Sequence, residues 1–214
     1  MTINNVKSLS RLRAEQAFSD EFVEISGLRL KRGSLTEITG AASSGKTSLM
    51  MSLLGNLTRA GEVCAVVDVS DCFDPEAAVL NGVMLDNILW IKCGTELEKG
   101  LTITDYLVQA KGFGAIWLNL NFIPSNELRL IPGSFWYRFR LGVKGCPTLL
   151  IATVKESVLG PASGKAYTVE RSRTVWNGAG RFKLLREFIV SLRSRKGVDT
   201  HPIFSRLQLI YKDV

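Results

Sequence analysis

Histidine is almost absent from this 214-residue chain, His201 being the only one, and the four cysteines (Cys64, Cys72, Cys93, Cys146) form no C-x-x-C pair. That pattern offers neither a zinc site nor a disulfide framework, and reduced, mostly buried thiols are expected. No apolar run approaches the ~18 residues of a membrane span, so no membrane partner is expected. The opening Met1-Thr2-Ile3-Asn4-Asn5 lacks the charged-then-apolar layout of a secretory signal, which makes the cytoplasm the expected location. Internal repeats and low-complexity linkers are missing too. The chain therefore reads as one core domain, residues 27–214, preceded by an N-terminal helix and lead-in strand, residues 1–26.

Acidic side chains are scarce in one region. Residues 129–196 carry 14 basic and 3 acidic groups, whereas residues 1–128 carry 11 basic and 15 acidic ones. Such asymmetry suits an anionic partner, with nucleic acid the first candidate. Phe135, Trp136, Tyr137, Phe139, Tyr167, Trp176 and Phe182 interleave with the positive charges, and aromatics beside arginines suit stacking on single-stranded bases. The candidate contacts are Arg138, Arg140, Lys155, Lys165, Arg171, Arg173, Arg181 and Arg186. The same pattern also fits a solvated basic surface over core aromatics, or a docking face for an acidic protein.

The most informative stretch is Gly40-Ala41-Ala42-Ser43-Ser44-Gly45-Lys46-Thr47, which fits G-x-x-x-x-G-K-[ST], the phosphate-cradling P-loop. Leu35–Thr39 before it alternates apolar and polar residues as a strand does, and Ser48–Leu54 after it reads as a helix. A strand–loop–helix order aims the first helical amides, and the positive dipole end, at bound phosphates. Gly40, Ser43, Ser44, Gly45 and Ser48 would line that cradle. Lys46 would reach the β- and γ-phosphates of ATP, and the Thr47 hydroxyl would ligate Mg²⁺.

Along the rest of the chain, residues 5–18 predict a short amphipathic helix able to pack on its own core or on a neighbouring subunit. Phe22–Ile25 and Leu28–Leu30 predict a hairpin. Val63–Val67 is a continuous apolar run, as in a parallel strand buried on both faces, and Asp68-Val69-Ser70-Asp71 follows at its carboxyl end, where open α/β sheets place ligands. Residues 74–80 predict a helix capped by Asp74, 87–91 a strand, 102–108 a helix and 115–120 a strand. Residues 128–142 predict a basic aromatic helix, 147–152 a strand, 166–176 and 206–212 further strands, and 181–194 an arginine-rich helix. Strands alternating with helices imply an α/β fold of β-α-β units around a mostly parallel central sheet flanked by helices.

Gly33–Ile38 leading into Ser43–Thr47, then Gly61–Asp68, Phe73-Asp74-Pro75, Gly82-Val83 and Asp86–Leu89 resemble, in register, the core of the RecA recombinase family. The likeness is good over roughly residues 27–125 and only in outline beyond, and it implies a RecA-like P-loop NTPase core. Within the resemblance, Asp74 matches the adenine-contacting aspartate, while Ala77 replaces the tyrosine that stacks on the base. The glutamate that activates the attacking water is replaced by Ser70. The aspartate that supports Mg²⁺ and its water shell is replaced by Asn119. A hydroxyl is a far poorer base than a carboxylate, and an amide does not neutralise metal charge, so most of the hydrolytic rate should be lost. Lys155 falls near the glutamine that senses the γ-phosphate, and the loop Glu156–Lys165 is shorter than the family's DNA-binding loop.

A short RecA-like chain with eroded ATPase residues resembles the ImuA or SulA-like accessory group of bacterial translesion mutagenesis. The expected role is then in the DNA-damage (SOS) response, with little or no ATP hydrolysis. A Y-family polymerase-like mutagenesis protein, RecA and single-stranded DNA are the partners this implies, and self-association is compatible with it. The alternative is an active DNA-dependent ATPase in which Asp68 or Asp71 serves as base. Binding of ATP and Mg²⁺ is expected under both readings; a third, structural reading keeps the P-loop as a fossil whose loop merely completes the fold.

Overall fold

The computed structural model describes residues 21–25, 27–177, 184–195 and 202–208. The amphipathic segment 5–18 and Arg181 lie outside them. Strands β1 (Phe22–Ile25) and β2 (Leu28–Lys31) form the expected hairpin, on either side of residue 26, with Ile25 opposite Leu28.

Among the described residues the other eight strands make one sheet: β3 (Ser34–Thr39), β4 (Cys64–Asp68), β5 (Ile88–Lys92), β6 (Ala115–Asn119), β7 (Leu149–Val154), β8 (Lys165–Asn177), β9 (Leu184–Ser194) and β10 (Ile203–Gln208). Their spatial order is β10-β9-β8-β3-β7-β6-β4-β5. Strands β3 to β8 run parallel, and β9 and β10 add antiparallel.

Helices α1 (Lys46–Arg59), α2 (Pro75–Leu80), α3 (Leu97–Ala110), α4 (Ser125–Arg129) and α5 (Gly133–Val143) fill the crossovers. Helix α1 ends as Arg59 and a left-handed Gly61 (φ +83°) predict. Strands β4, β6 and β7 are buried at every position, as parallel strands covered on both faces must be. Alternate residues feed two cores. Ile38, Cys64, Val66, Trp117 and Val169 pack with Leu49, Met50, Leu53 and Leu54 of α1. Leu35, Ala65, Val67, Ile116 and Leu118 pack with Leu107 and Val108 of α3 and Trp136 and Phe139 of α5.

Three sequence expectations are corrected. Residues 184–194 form strand β9, not a helix: Val190 and Leu192 fall at period two into the core, and long-range pairing with β8 and β10 overrides local helical propensity. Residues 128–142 form two helices, because Pro132 ends one and opens the next. The strand expected from residue 206 starts earlier, as β10 at Ile203–Gln208; residues 209–212 lie outside the described residues. Trp136, Phe139 and Tyr167 are buried core, while Tyr137 and Trp176 are exposed.

Candidate functional site: the P-loop and the carboxyl edge of the sheet

Because β3, β4, β6 and β7 are parallel, their carboxyl ends meet along one edge. The P-loop leaves β3 at that edge and turns into α1 at Lys46. Its turn requires glycine at one point: Gly45 sits at φ +102°, immediately before the helix. Gly40 is needed for a different reason. A Cβ there would lie 2.5 Å from the Val169 carbonyl of β8 and 2.7 Å from the Ser44 hydroxyl. The loop is thus packed directly on β8.

Two clefts flank the loop. The smaller, about 280 Å³, is walled by residues 41–48 with Asn121, Phe122 and Arg171. The larger, about 730 Å³, runs from residues 39–44 to Lys155, Thr168, Arg171 and Arg195. Gly40 lines only the larger; Ser43 and Ser44 line both; Gly45, Lys46, Thr47 and Ser48 line the smaller. Lys46 is buried, and its ammonium donates to the Gly40 carbonyl and, at 3.5 Å, to the Ala41 carbonyl. Burial, reinforced by the positive charge of Lys155, lowers its pKa to about 8. The Ser44 hydroxyl is buried with no hydrogen-bond partner. Orphaned buried polar atoms are costly, so a cradle holding a buried lysine and an unsatisfied hydroxyl fits a phosphate chain. Thr47 is the hydroxyl that would meet Mg²⁺.

The carboxyl ends of β4 and β6 are knitted into a buried network. Asn119 donates from Nδ2 to Asp68 Oδ1 at 3.0 Å, and its Oδ1 accepts from Thr153 at 3.3 Å. Trp117 Nε1 donates to the same Thr153 hydroxyl at 2.9 Å. Asp68 also accepts from the main-chain N–H groups of Cys72 (3.2 Å) and Phe73 (2.8 Å). Two of its three bonds shape the β4–α2 turn, and the third ties it to β6. Ser70 donates to the Asn119 carbonyl at 3.2 Å and accepts from Phe122 N–H at 3.1 Å. Asp71 forms an exposed ion pair with Lys92 at 3.0 Å. Neither Asp68, Ser70, Asp71 nor Asn119 lines either cleft.

Other candidates disperse. Asp74 caps α2, accepting from the N–H groups of Glu76 (2.9 Å) and Ala77 (3.3 Å), and lies outside both clefts. Arg138 pairs with Asp105 at 2.9 Å and stacks over Phe135, while Arg140 donates to the Pro161 carbonyl at 3.2 Å. Lys155 lines the larger cleft, and its carbonyl accepts from Gly40 N–H at 3.3 Å. Lys165 opens β8 and Arg173 is exposed further along it. Arg186 falls on the main chain of β9, its side chain outside the described residues. Cys64 and Cys93 are buried and Cys72 and Cys146 half-buried, all four as free thiols. Burial pushes Cys64 up to about 12 and raises Cys72 and Cys93, so these remain protonated at neutral pH. Among the described residues no cluster of metal-binding side chains occurs, and no helix is long and apolar enough to cross a membrane.

Sequence reasoning missed two arrangements. Asn121 and Phe122 form a cleft wall just past β6, a place the carboxyl-edge rule points to. Glu37, buried in β3, accepts from Ser157 Oγ (2.8 Å), Val158 N–H (2.8 Å), Leu159 N–H (3.0 Å) and Arg195 (2.5 Å). It pins the loop after β7 against the sheet. No local signal marks that pairing, because Glu37 and Arg195 are 158 residues apart.

A sequence profile of the RecA N-terminal domain matches residues 6–128. Protein RecA of Pseudomonas fluorescens is 40% identical over 87 residues, which is 41% of this chain and 25% of that protein. The same protein from Pseudomonas syringae pv. syringae and from Pseudomonas putida is 39% identical over 87 residues, covering 24% of each. The chain thus spans about a quarter of the length of the relatives it matches. The aligned family domain covers more than half of the chain, the strand order places residues 40–47 at the carboxyl edge of a mostly parallel sheet, and the chain belongs to the RecA family.

Proposed function

We propose that this chain is a RecA-like accessory protein of the DNA-damage (SOS) response, of the ImuA or SulA-like kind. It holds ATP with Mg²⁺ at residues 40–48 and turns it over little or not at all. The observation that carries this reading is the network around Asp68 and Asn119. The side chains where a water-activating base and a metal-supporting carboxylate are expected are a hydroxyl and an amide. Both are engaged in hydrogen bonds that hold neighbouring loops. Phosphoryl transfer relies on positioned charge and an oriented nucleophile, and neither Ser70 nor Asn119 supplies them.

The residues that remain are suited to binding. Loop amides and the α1 dipole would meet the phosphates, Lys46 would neutralise charge, and Thr47 would offer a protein ligand for Mg²⁺, which when bound would shield the phosphate oxygens. The carboxyl-terminal third supplies the partner surface. Strand β8 is 13 residues long and presents the exposed Arg173 and Trp176, a combination suited to single-stranded DNA. A Y-family polymerase-like mutagenesis protein and RecA are the protein partners this role implies.

Steady-state ATP turnover with and without single-stranded DNA tests the reading. The expected rate is at background in both, with Mg-ATP still raising the melting temperature, because a ligand that binds only the folded state must stabilise it. Turnover at the level of an ordinary recombinase, abolished by Lys46→Ala, would instead establish the second reading, a DNA-dependent ATPase. The intact Lys46-Thr47 pair favours that second reading; the engagement of Asp68 by three donors speaks against its proposed base.

A further inference from the structure

Among the arginines considered above as nucleic-acid contacts, Arg171 differs by lining both clefts of the P-loop. Tyr167 and Val169 of β8 pack with Leu49, Met50 and Leu53 of α1. Arg171 continues that face of the strand beyond the N-terminus of α1, and its guanidinium donates to the Ser43 carbonyl. The smaller cleft therefore gathers the positive end of α1, Lys46 and Arg171. An anion placed among these groups is attracted by all three. The buried, unpartnered Ser44 hydroxyl in the same cleft is a second, independent sign of a missing polar ligand.

We infer that Arg171 is a phosphate ligand supplied by β8 of the same chain. On nucleotide binding its hydrogen bond to the Ser43 carbonyl is exchanged for charge-assisted bonds to phosphate oxygens. Lys46 makes the matching exchange from the Gly40 and Ala41 carbonyls. Charge-assisted bonds are roughly twice as strong as bonds to neutral acceptors, and the guanidinium fork fits phosphate geometry, so the exchange is favourable. This moves Arg171 from the nucleic-acid surface to the nucleotide site, and it rests on the nucleotide-binding reading above.

The test titrates a fluorescent ATP analogue with Mg²⁺ into the wild type, Lys46→Ala, Arg171→Ala and Arg171→Lys, with far-UV circular dichroism and melting curves confirming the fold. Expected are saturable wild-type binding, a loss of about tenfold or more in Arg171→Ala and a smaller loss in Arg171→Lys. Arg171→Ala binding nucleotide within threefold of wild type overturns the inference and leaves the P-loop reading standing. The same holds if Arg171→Ala loses only affinity for single-stranded DNA. A wild type with no saturable nucleotide binding overturns the reading itself and the inference with it. If Arg171→Ala does not fold, Arg171→Gln is judged by the same thresholds.

Discussion

Replacing Asn119 by aspartate would return a carboxylate to the position where the RecA resemblance expects one, and the structure predicts that it damages the fold. Asn119 is fully buried, and its Nδ2 donates to Asp68 Oδ1 at 3.0 Å. In Asn119→Asp that donor becomes an acceptor, and two carboxylates face each other. At an effective dielectric of about 20, unit charges 3.0 Å apart repel by about 5.5 kcal/mol. Loss of a hydrogen bond to a charged acceptor costs about 1.5–3 kcal/mol, part of the same change. After relaxation, a net loss of about 3–5 kcal/mol at neutral pH is expected, a large share of a typical domain's 5–15 kcal/mol.

Acid should relieve it. The folded pair holds one shared proton to higher pH than free aspartates near 3.9 do, so the folded state binds more protons. Stability of the variant relative to wild type therefore rises as pH falls from about 7 towards 5. Urea unfolding of both proteins at pH 7.5 and pH 5 measures this. A variant as stable as wild type at pH 7.5, or a stability gap unchanged at pH 5, refutes the reasoning. ATP turnover by the folded variant should stay at background, because the new carboxylate is turned towards Asp68 and away from both clefts.

Lys46 gives a second pH signature. Its pKa falls from 10.5 to about 8 on folding, so the unfolded chain binds more protons between those values, and the nucleotide-free protein should gain stability as pH rises from 8 to 10.5. Lys46→Met should lose that slope in thermal melts, and nucleotide affinity of the wild type should weaken above pH 8 as the cation is lost. Gly40→Ala forces a Cβ against the Val169 carbonyl; a cost of about 1–3 kcal/mol in urea unfolding is expected, with weaker nucleotide binding. Arg195→Ala removes the cation from buried Glu37 while Ser157 and two main-chain donors remain. A loss of about 1–3 kcal/mol, discounted for the one-third exposure of Arg195, is expected, with faster proteolysis in residues 155–164.

Trp117→Phe isolates another part of the buried network. It deletes the indole donor to Thr153 and leaves space beside Phe73, whose ring centroid lies 6.2 Å from that of Trp117. A loss of about 1–3 kcal/mol by urea unfolding is expected, and a variant equal to wild type would show that the Thr153 bond contributes nothing.

The parallel core was legible because its signals are local. The apolar run Val63–Val67, the glycine-lysine spacing of residues 40–47 and the Asp74-Pro75 helix start each state their own conformation. The identities of Ser70 and Asn119 were equally plain, being single-letter facts at aligned positions. The single helix read over 128–142 overlooked the local stop at Pro132, whereas the other misreadings lacked a partner in view. Residues 184–194 carry enough leucine and arginine to suggest a helix, and only the ladder with β8 and β10 makes them a strand.

By itself the sequence determined the family and the succession of parallel strands through β7, since both are written in short-range patterns of glycine, charge and hydrophobic period. The tertiary structure decided how those residues are used. It turned Asp68 into a brace for the loop that follows it, closed the loop after β7 over Glu37, and brought Arg171 against a turn 128 residues away. Hydrogen bonds and ion pairs between distant segments have no sequence period, so only the folded chain reveals which charges meet.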